Sequence, residues 1–271
     1  DSIHRAKPWV PFGISPFGLG RPDLRPPGIV GFSQYHKLYA DVERWLQAGW
    51  MDYLVPQLYW PLEQKEQAFV PLLEYWHAQN TRGRHVWAGL FTSRVLASAA
   101  TGPAAGAGSK ASWPADEISR QIAAVRQRAP GTGHVHFSMV ALQQNRQGLA
   151  QTLQSDAYSS AALVPASPWL ESGAPLAPAA QLTPLMGPHG PLRLVLAPAA
   201  SSKPVVGWAV WLRFGKRWQF QVSQGSELTV PGQRDSEPDT HELLSAVVVS
   251  AIDRVGNESP RTLVDISKIS Q

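Results

Sequence analysis

The sequence predicts an α/β protein joined to a smaller all-β part. Four consecutive parallel βα units span residues 1–164, a Pro/Ala linker spans 165–180, and a β-sandwich spans 181–271. Three observations lead there. Up to about residue 160, short apolar runs alternate with amphipathic stretches of helical period. At 165–180, PASPWLESGAPLAPAA, the composition turns to residues that punctuate elements rather than build them. Beyond it only strand-like runs follow, parted by Gly, Pro and Ser.

WVPFGIS (9–15) is the first strand. SQYHKLYADVERWLQAG (33–49) carries Tyr35, Leu38, Tyr39, Val42, Trp45 and Leu46 at helical steps and closes on Gly49, which predicts one amphipathic helix. The run from Met51 to Trp60 is the second strand. EQKEQAFVPLLEYWHAQ (63–79) is a helix in which Pro71 marks a kink or a restart. HVWAGLF (85–91) is the third strand. PADEISRQIAAVRQRA (114–129) begins with Pro and acids and ends on Arg, as the helix dipole favours. HVHFSM (134–139) is the fourth strand and NRQGLAQTLQSDAY (145–158) the last helix. Short connections between such units imply right-handed crossovers, with strand exits and helix starts on one face, where sites form. The low-complexity stretch 98–112 would be a mobile loop on that face. In the all-β part, RLVLAP, VVGWAVWLRF, RWQFQVS, ELTVP and LLSAVVVSAID read as strands of the sandwich.

The bulk numbers exclude several functions. A net charge of +4 without a Lys/Arg block argues against nucleic acid as a partner. Zero cysteines remove disulfides, thiolate catalysis and thiolate metal ligation. No apolar run is long enough to span a membrane. The start, DSIHRAKPWV, carries no signal-sequence pattern and reads as a helix tail running straight into a strand.

DYLVPQLYWP (52–61) holds the main candidate site. An apolar run ends in an amide and two large aromatics, and a proline stops it. Packing accounts for the aromatics, but an unpaired buried amide is costly. A sugar site needs both, since aromatic faces cover the apolar faces of a pyranose while amides bind its hydroxyls. Gln57 and Tyr59 share a strand face and Trp60 takes the other. Ser15 and Phe17 in GISPFG, Phe91 and Ser138 stand at the other strand exits, completing a substrate-binding set of Ser15, Phe17, Gln57, Tyr59, Trp60, Phe91 and Ser138.

KPWVPFGISPFG (7–18), YHKLYADVERWLQAGWMDYLVPQLYWP (35–61), EISRQI (117–122) and VHFSM (135–139) resemble the bacterial glycosyl-hydrolase-like family ten. AVVVSAIDRVGNESP (246–260) resembles the last strands of a fibronectin type III-like sandwich, which often follows that barrel. The first resemblance implies a (β/α)8 barrel of which residues 1–164 are the second half, like half a TIM barrel, with the first four units missing. It also implies hydrolysis of a glycosidic bond in peptidoglycan or a related polymer, and a periplasmic or secreted location. In the family a candidate catalytic motif of the Asp-Asp-Tyr-Phe type ends the fourth strand, and no such motif occurs here. A glycosidase needs two carboxyls about 5–5.5 Å apart for retention or about 6.5–9.5 Å for inversion. Asp23, Glu63, Asp116 and Glu117 lie on the right face, but Asp116, Glu117 and Glu63 are explained as helix-start acids and Asp23 as a solvated loop residue, so the catalytic residues stay unassigned.

His134 and His136 share a strand face, yet no third ligand stands at a ligating interval, so neither metal nor other cofactor is expected. Of the tryptophans in the sandwich, Trp208 and Trp211 take opposite faces, one core and one exposed; with Trp218 they offer either packing or a glycan contact. The expected function is part of a glycoside hydrolase acting on a cell-envelope glycan, without its own catalytic carboxylates. The alternative is a non-catalytic glycan-binding or scaffold module. The expected partner is a glycan polymer or oligosaccharide, and the open half-barrel is expected to pair with its missing half or another copy.

Overall fold

The computed structural model describes residues 2–96, 112–187, 189–237 and 240–266. Nearly all of the 98–112 stretch therefore lies outside the described residues. The chain divides into two compact units, Pro11–Ser159 and Asp1–Val10 with Ser160–Gln271. Helix α1 (Ser2–Ala6) belongs to the second.

The Pro11–Ser159 unit repeats strand then helix. β1 (Gly13–Ile14) leads to α2 (Gln34–Leu38) and α3 (Val42–Ala48), and β2 (Tyr53–Leu54) to α4 (Phe69–Ala78). β3 (His85–Val86) and β4 (Ala88–Leu90) lead to α5 (Asp116–Arg128), and β5 (His134–His136) to α6 (Val140–Gln143) and α7 (Leu149–Ser155). The pairings β1–β2, β2–β3 and β4–β5 are parallel, as are the bridges Phe17–Gln57 and Gln57–Gly89. In register, Ile14, Leu54 and Val86 form one row and Gly13, Tyr53 and His85 the next. Strand alternation sends the first row, with Leu58, Ala88 and Leu90, into a core shared with Leu46, Phe69, Leu72, Leu73, Trp76, Ile118 and Ile122 of the helices. Each such fully buried side chain contributes roughly 1.5–3 kcal/mol.

The second row lies on the face turned away from the helices, and it is aromatic. Tyr53 stacks on Trp87 at 4.9 Å between centroids, and His85 on Trp87 at 5.1 Å. Gly13 is required there, because a Cβ would stand 2.3 Å from the Tyr53 ring.

Three predicted elements come out divided, the helix over 145–158 being a 3-10 turn at Arg146–Gly148 followed by α7. The single helix over 33–49 is α2 and α3, because Tyr39 adopts the left-handed conformation at φ 53° and Asp41 starts a new helix by accepting the Arg44 N–H at 3.3 Å. Gly49 closes α3 in the left-handed conformation, as the pattern predicts. The strand over 85–91 is interrupted at Trp87. The helix expected over 63–79 starts only at Phe69, so Pro71 marks its beginning and sits in the first turn of α4, where a missing N–H costs nothing.

The second unit is antiparallel. β6 (Ala179–Pro184), β7 (Leu192–Ala197) and β10 (Glu227–Val230) form one sheet in the order β10-β7-β6. β8 (Gly207–Phe214), β9 (Arg217–Ser223), β11 (Gln233–Glu237), β12 (Thr240–Ile252) and β13 (Thr262–Val264) form the other, ordered β11-β12-β8-β9 with β13 on β12. One core takes Leu182, Leu192, Leu194 and Leu196 from the first sheet and Trp208, Val210, Leu212, Phe214, Val247 and Val249 from the second. The DRVGNES turn is built around buried Asp253, whose Oδ1 accepts the Val255 and Asn257 N–H groups at 3.0 and 2.8 Å. The stretch read as a linker is bound to this unit. Ser167 N–H donates to Val255 O at 2.8 Å, Asn257 Nδ2 to Glu171 O at 2.9 Å, and Lys203 pairs with Glu171 at 3.0 Å. β6 begins inside the stretch, at Ala179.

Candidate functional site

The carboxyl ends of the parallel strands carry a rim of rings. Tyr59 stands 4.9 Å from Phe91 and 5.4 Å from Phe137, the latter nearly parallel at 16°, and Phe91 and Phe137 lie 5.7 Å apart. Trp113 closes the group against Phe91 at 6.2 Å. Phe137 is 50% exposed, so the cluster has an open side. Burial pushes the Tyr59 phenol up, and it stays a neutral donor at physiological pH. Gly89 makes room for this packing, since a Cβ would lie 2.9 Å from Pro56 O and 3.4 Å from the Tyr59 ring.

The loop after β1 forms the neighbouring rim. Phe17 is 45% exposed and packs on Phe32 at 4.7 Å. Buried Gln34 fixes its backbone by accepting the Phe17 N–H at 3.1 Å and donating to Phe17 O at 3.3 Å. Gln57 spans the two rims: its N–H donates to Pro16 O at 3.0 Å and its Nε2 to Ser15 O at 2.9 Å. The amide that argued for a sugar site is thus partly spent on the fold. Its Oε1 is the acceptor it has left to offer.

Of the residues selected from sequence, the structure brings together Ser15, Phe17 and Gln57 as one group and Tyr59 and Phe91 as another. Ser138 sits beside the second group, its Oγ 3.1 Å from Ser93 Oγ. Trp60 packs against the core on the helix side, and its carbonyl accepts from Gln121 Nε2 at 3.0 Å. Sequence reasoning passed over Phe137 and Phe32. Phe137 was accessible to it, since alternation along HVHFSM puts Phe137 opposite the two histidines.

The carboxylates tell a different story. Asp23 pairs with Arg21 at 2.9 Å, and that hydrogen bond holds its carboxyl below the usual range. Glu63, Asp116 and Glu117 all converge on Arg120, the first two at 3.2 and 3.5 Å. Glu117 is buried and staples the exit of the second strand, accepting the Leu62 N–H at 2.7 Å and Gln121 Nε2 at 2.9 Å. Glu43, which sequence reasoning did not single out, does the same for the first exit. Its Oε1 accepts the Arg21 N–H and the Tyr75 hydroxyl, each at 2.7 Å. Burial and that bond push the Tyr75 phenol far up. These acids fasten loops.

His134 and His136 lie in the row with Ala88 and Leu90 and meet Tyr158, whose Oη is 2.5 and 2.7 Å from their Nε2 atoms. One phenol proton serves one of them, so the other imidazole must donate. Burial drives His134 down to about 4 and lowers His136. Among the described residues no group of three His, Cys, Asp or Glu could hold a metal ion. Among them, too, no helix is long and apolar enough to cross a membrane.

The rings and loop staples at these strand exits fall largely within one stretch of matched sequence. Residues 1–103 match the model of the family glycosyl hydrolase-like 10. Glycosyl hydrolase YngK of Bacillus subtilis (strain 168) is 34% identical over 184 residues, covering 66% of this chain and 34% of YngK. Glycosyl hydrolase DigH of Escherichia coli (strain K12) is 36% identical over 78 residues, covering 28% of this chain and 18% of DigH. The chain thus spans about a third of one relative and under a fifth of the other. A solved glycoside hydrolase domain, Spr0440 Endo-D from Streptococcus pneumoniae R6, aligns with 38% of this chain and 17% of its own at 12% identity and a TM-score of 0.27, too low to carry an argument.

Proposed function

We propose that residues 1–164 are the second half of a (β/α)8 glycosidase barrel and supply substrate subsites for a bacterial cell-envelope glycan such as peptidoglycan. The observation that carries the reading is the cluster of Tyr59, Phe91 and Phe137 at the carboxyl ends of parallel strands, two of its rings within the stretch that matches the family. Ring faces there cover the C–H faces of a pyranose. Gln57 Oε1 and the Ser15 and Ser138 hydroxyls take its polar edge. The acid and the second carboxylate come from polypeptide other than these 271 residues, because the acids on this face are bound to arginines or backbone. The antiparallel unit is a fibronectin type III-like sandwich that accompanies the barrel, and the substrate places the protein in the periplasm or outside the cell.

Incubating the purified chain with labelled peptidoglycan and chitin oligomers tests this. Binding without turnover is expected, because rate comes from paired acid and base groups across the scissile bond. Turnover that disappears in Glu63→Gln or Asp23→Asn would overturn it and make this half sufficient. The arginine pairing of those acids also favours a second reading, a glycan-binding or scaffold module that never catalyses. The gene upstream separates the two. Four further βα units with an acidic strand exit support the hydrolase, and a start codon near residue 1 supports the module.

A further inference from the structure

The antiparallel unit has an aromatic, cationic groove on the outer face of its larger sheet. Alternation along β8 puts Trp208, Val210 and Leu212 in the core and turns Trp211 and Arg213 outward. Register then sets Trp218 opposite Arg213, Phe220 opposite Trp211 on β9, and Val248 opposite Trp211 on β12. Trp211, Trp218, Val248 and Arg261 line a cavity of about 480 Å³. Its rings differ in availability. The Arg261 guanidinium covers Trp211 at 4.0 Å, and Phe220 lies against the same indole at 5.1 Å. Trp218 is 51% exposed.

We propose that this groove binds a saccharide bearing a carboxylate, with one sugar ring on Trp218 and its carboxylate on Arg261. Stacking on Trp211 and the bond from Nε to Glu258 Oε1 at 3.0 Å hold the guanidinium in one orientation. Little freedom is then lost when its terminal nitrogens engage a ligand. A planar fork of N–H groups suits a carboxylate, and Arg213, 5.9 Å from the Trp218 centroid, adds positive charge beside that ring. Nothing in core packing calls for an open indole beside a fixed cation. The choice of saccharide over peptide rests on the glycan-directed reading of the parallel unit.

Affinity electrophoresis of the full chain tests it, with polygalacturonate as acidic saccharide, dextran as neutral polymer and poly-glutamate as acidic polypeptide. Polygalacturonate should retard the protein and the other two should not. Trp218→Ala and Arg261→Gln should each weaken retention about fivefold, the scale of one aromatic contact. Both positions lie outside the core, so thermal midpoints report that the variants fold. Absence of retardation, equal retardation by dextran or poly-glutamate, or unchanged retention in either variant would overturn the proposal. Chitin-oligomer binding by Tyr59→Ala, measured alongside, reads the parallel unit separately, so either reading can fail without the other.

Discussion

The two units solve the same problem in different ways. In the parallel unit the strands are two or three residues long, and side chains finish what the ladders leave undone. Gln34, Glu43, Asp52, Glu117 and Gln121 are all buried there, each bonded across the fold. In the antiparallel unit strands reach 13 residues, and buried Asp253, Asn257 and Ser259 gather at one turn. A buried acid in the first unit is therefore a loop fastener before it is anything else. This weighs against reading Glu117 as a catalytic group from its position alone.

The largest effects should come from core truncation, one per unit. Trp76 and Phe214 are almost wholly buried, and Trp76 also donates to Gly18 O at 2.8 Å. Replacing either with Ala should cost about 3–5 kcal/mol. If the units are separable, denaturation followed by proteolysis will show each variant lowering its own transition only. A single transition lowered by both would break the comparison. The bound stretch 165–180 should resist protease as part of the second unit.

The fasteners come next. Glu117→Ala leaves the Leu62 N–H and Gln121 without their acceptor and should cost about 2–3 kcal/mol, whereas Glu63→Ala, at an exposed pair, should cost under ~1 kcal/mol. Equal losses in urea denaturation would mean that burial is not what distinguishes these acids.

How much of this was legible beforehand depends on range. Local rules worked: Gly49 announced the end of α3, and β8 was visible in its alternation. Parallel βα order followed from the same patterns. The break at Tyr39 was not visible, because its apolar neighbours keep helical spacing on both sides; Asp41 as a cap was the one available hint. β6, β11 and β13 escaped because AAQLTP, QRDSE and TLV are short or polar, and the charges of β11 suit a sheet edge. At the candidate site, Gln57 was singled out, but its tie to Ser15 spans 42 positions and has no local signature. Trp60 misled because strand alternation says that two neighbours diverge, not which one turns outward.

Acid should separate the units further. His134 is held near 4 by burial, and burial also lowers His77, His85 and His136, all in the parallel unit. A histidine whose folded pKa lies below its unfolded value stabilises the fold above the unfolded pKa and loses that contribution as pH falls toward the folded one. The parallel unit should weaken between about pH 6.5 and pH 4, by ~1–2 kcal/mol for His134 after allowance for partial solvation. Thermal scans against pH on wild type and His134→Gln check this. An identical slope in both would show that the protonation of His134 contributes nothing to the acid loss.

The smallest expected effect tests the rim itself. Tyr59 is partly exposed and lies among Phe91 and Phe137, so Tyr59→Ala removes one wall of an open cluster rather than part of the core. Glycan binding should weaken by about 1 kcal/mol, the scale of one aromatic contact. Tyr59→Phe keeps the ring and should bind as wild type does if stacking carries the contact. Calorimetry with chitin oligomers separates the terms. A loss in Tyr59→Phe equal to that in Tyr59→Ala would assign the contact to the hydroxyl, whose proton burial retains, and would make the rim a hydrogen-bonding edge instead of a platform.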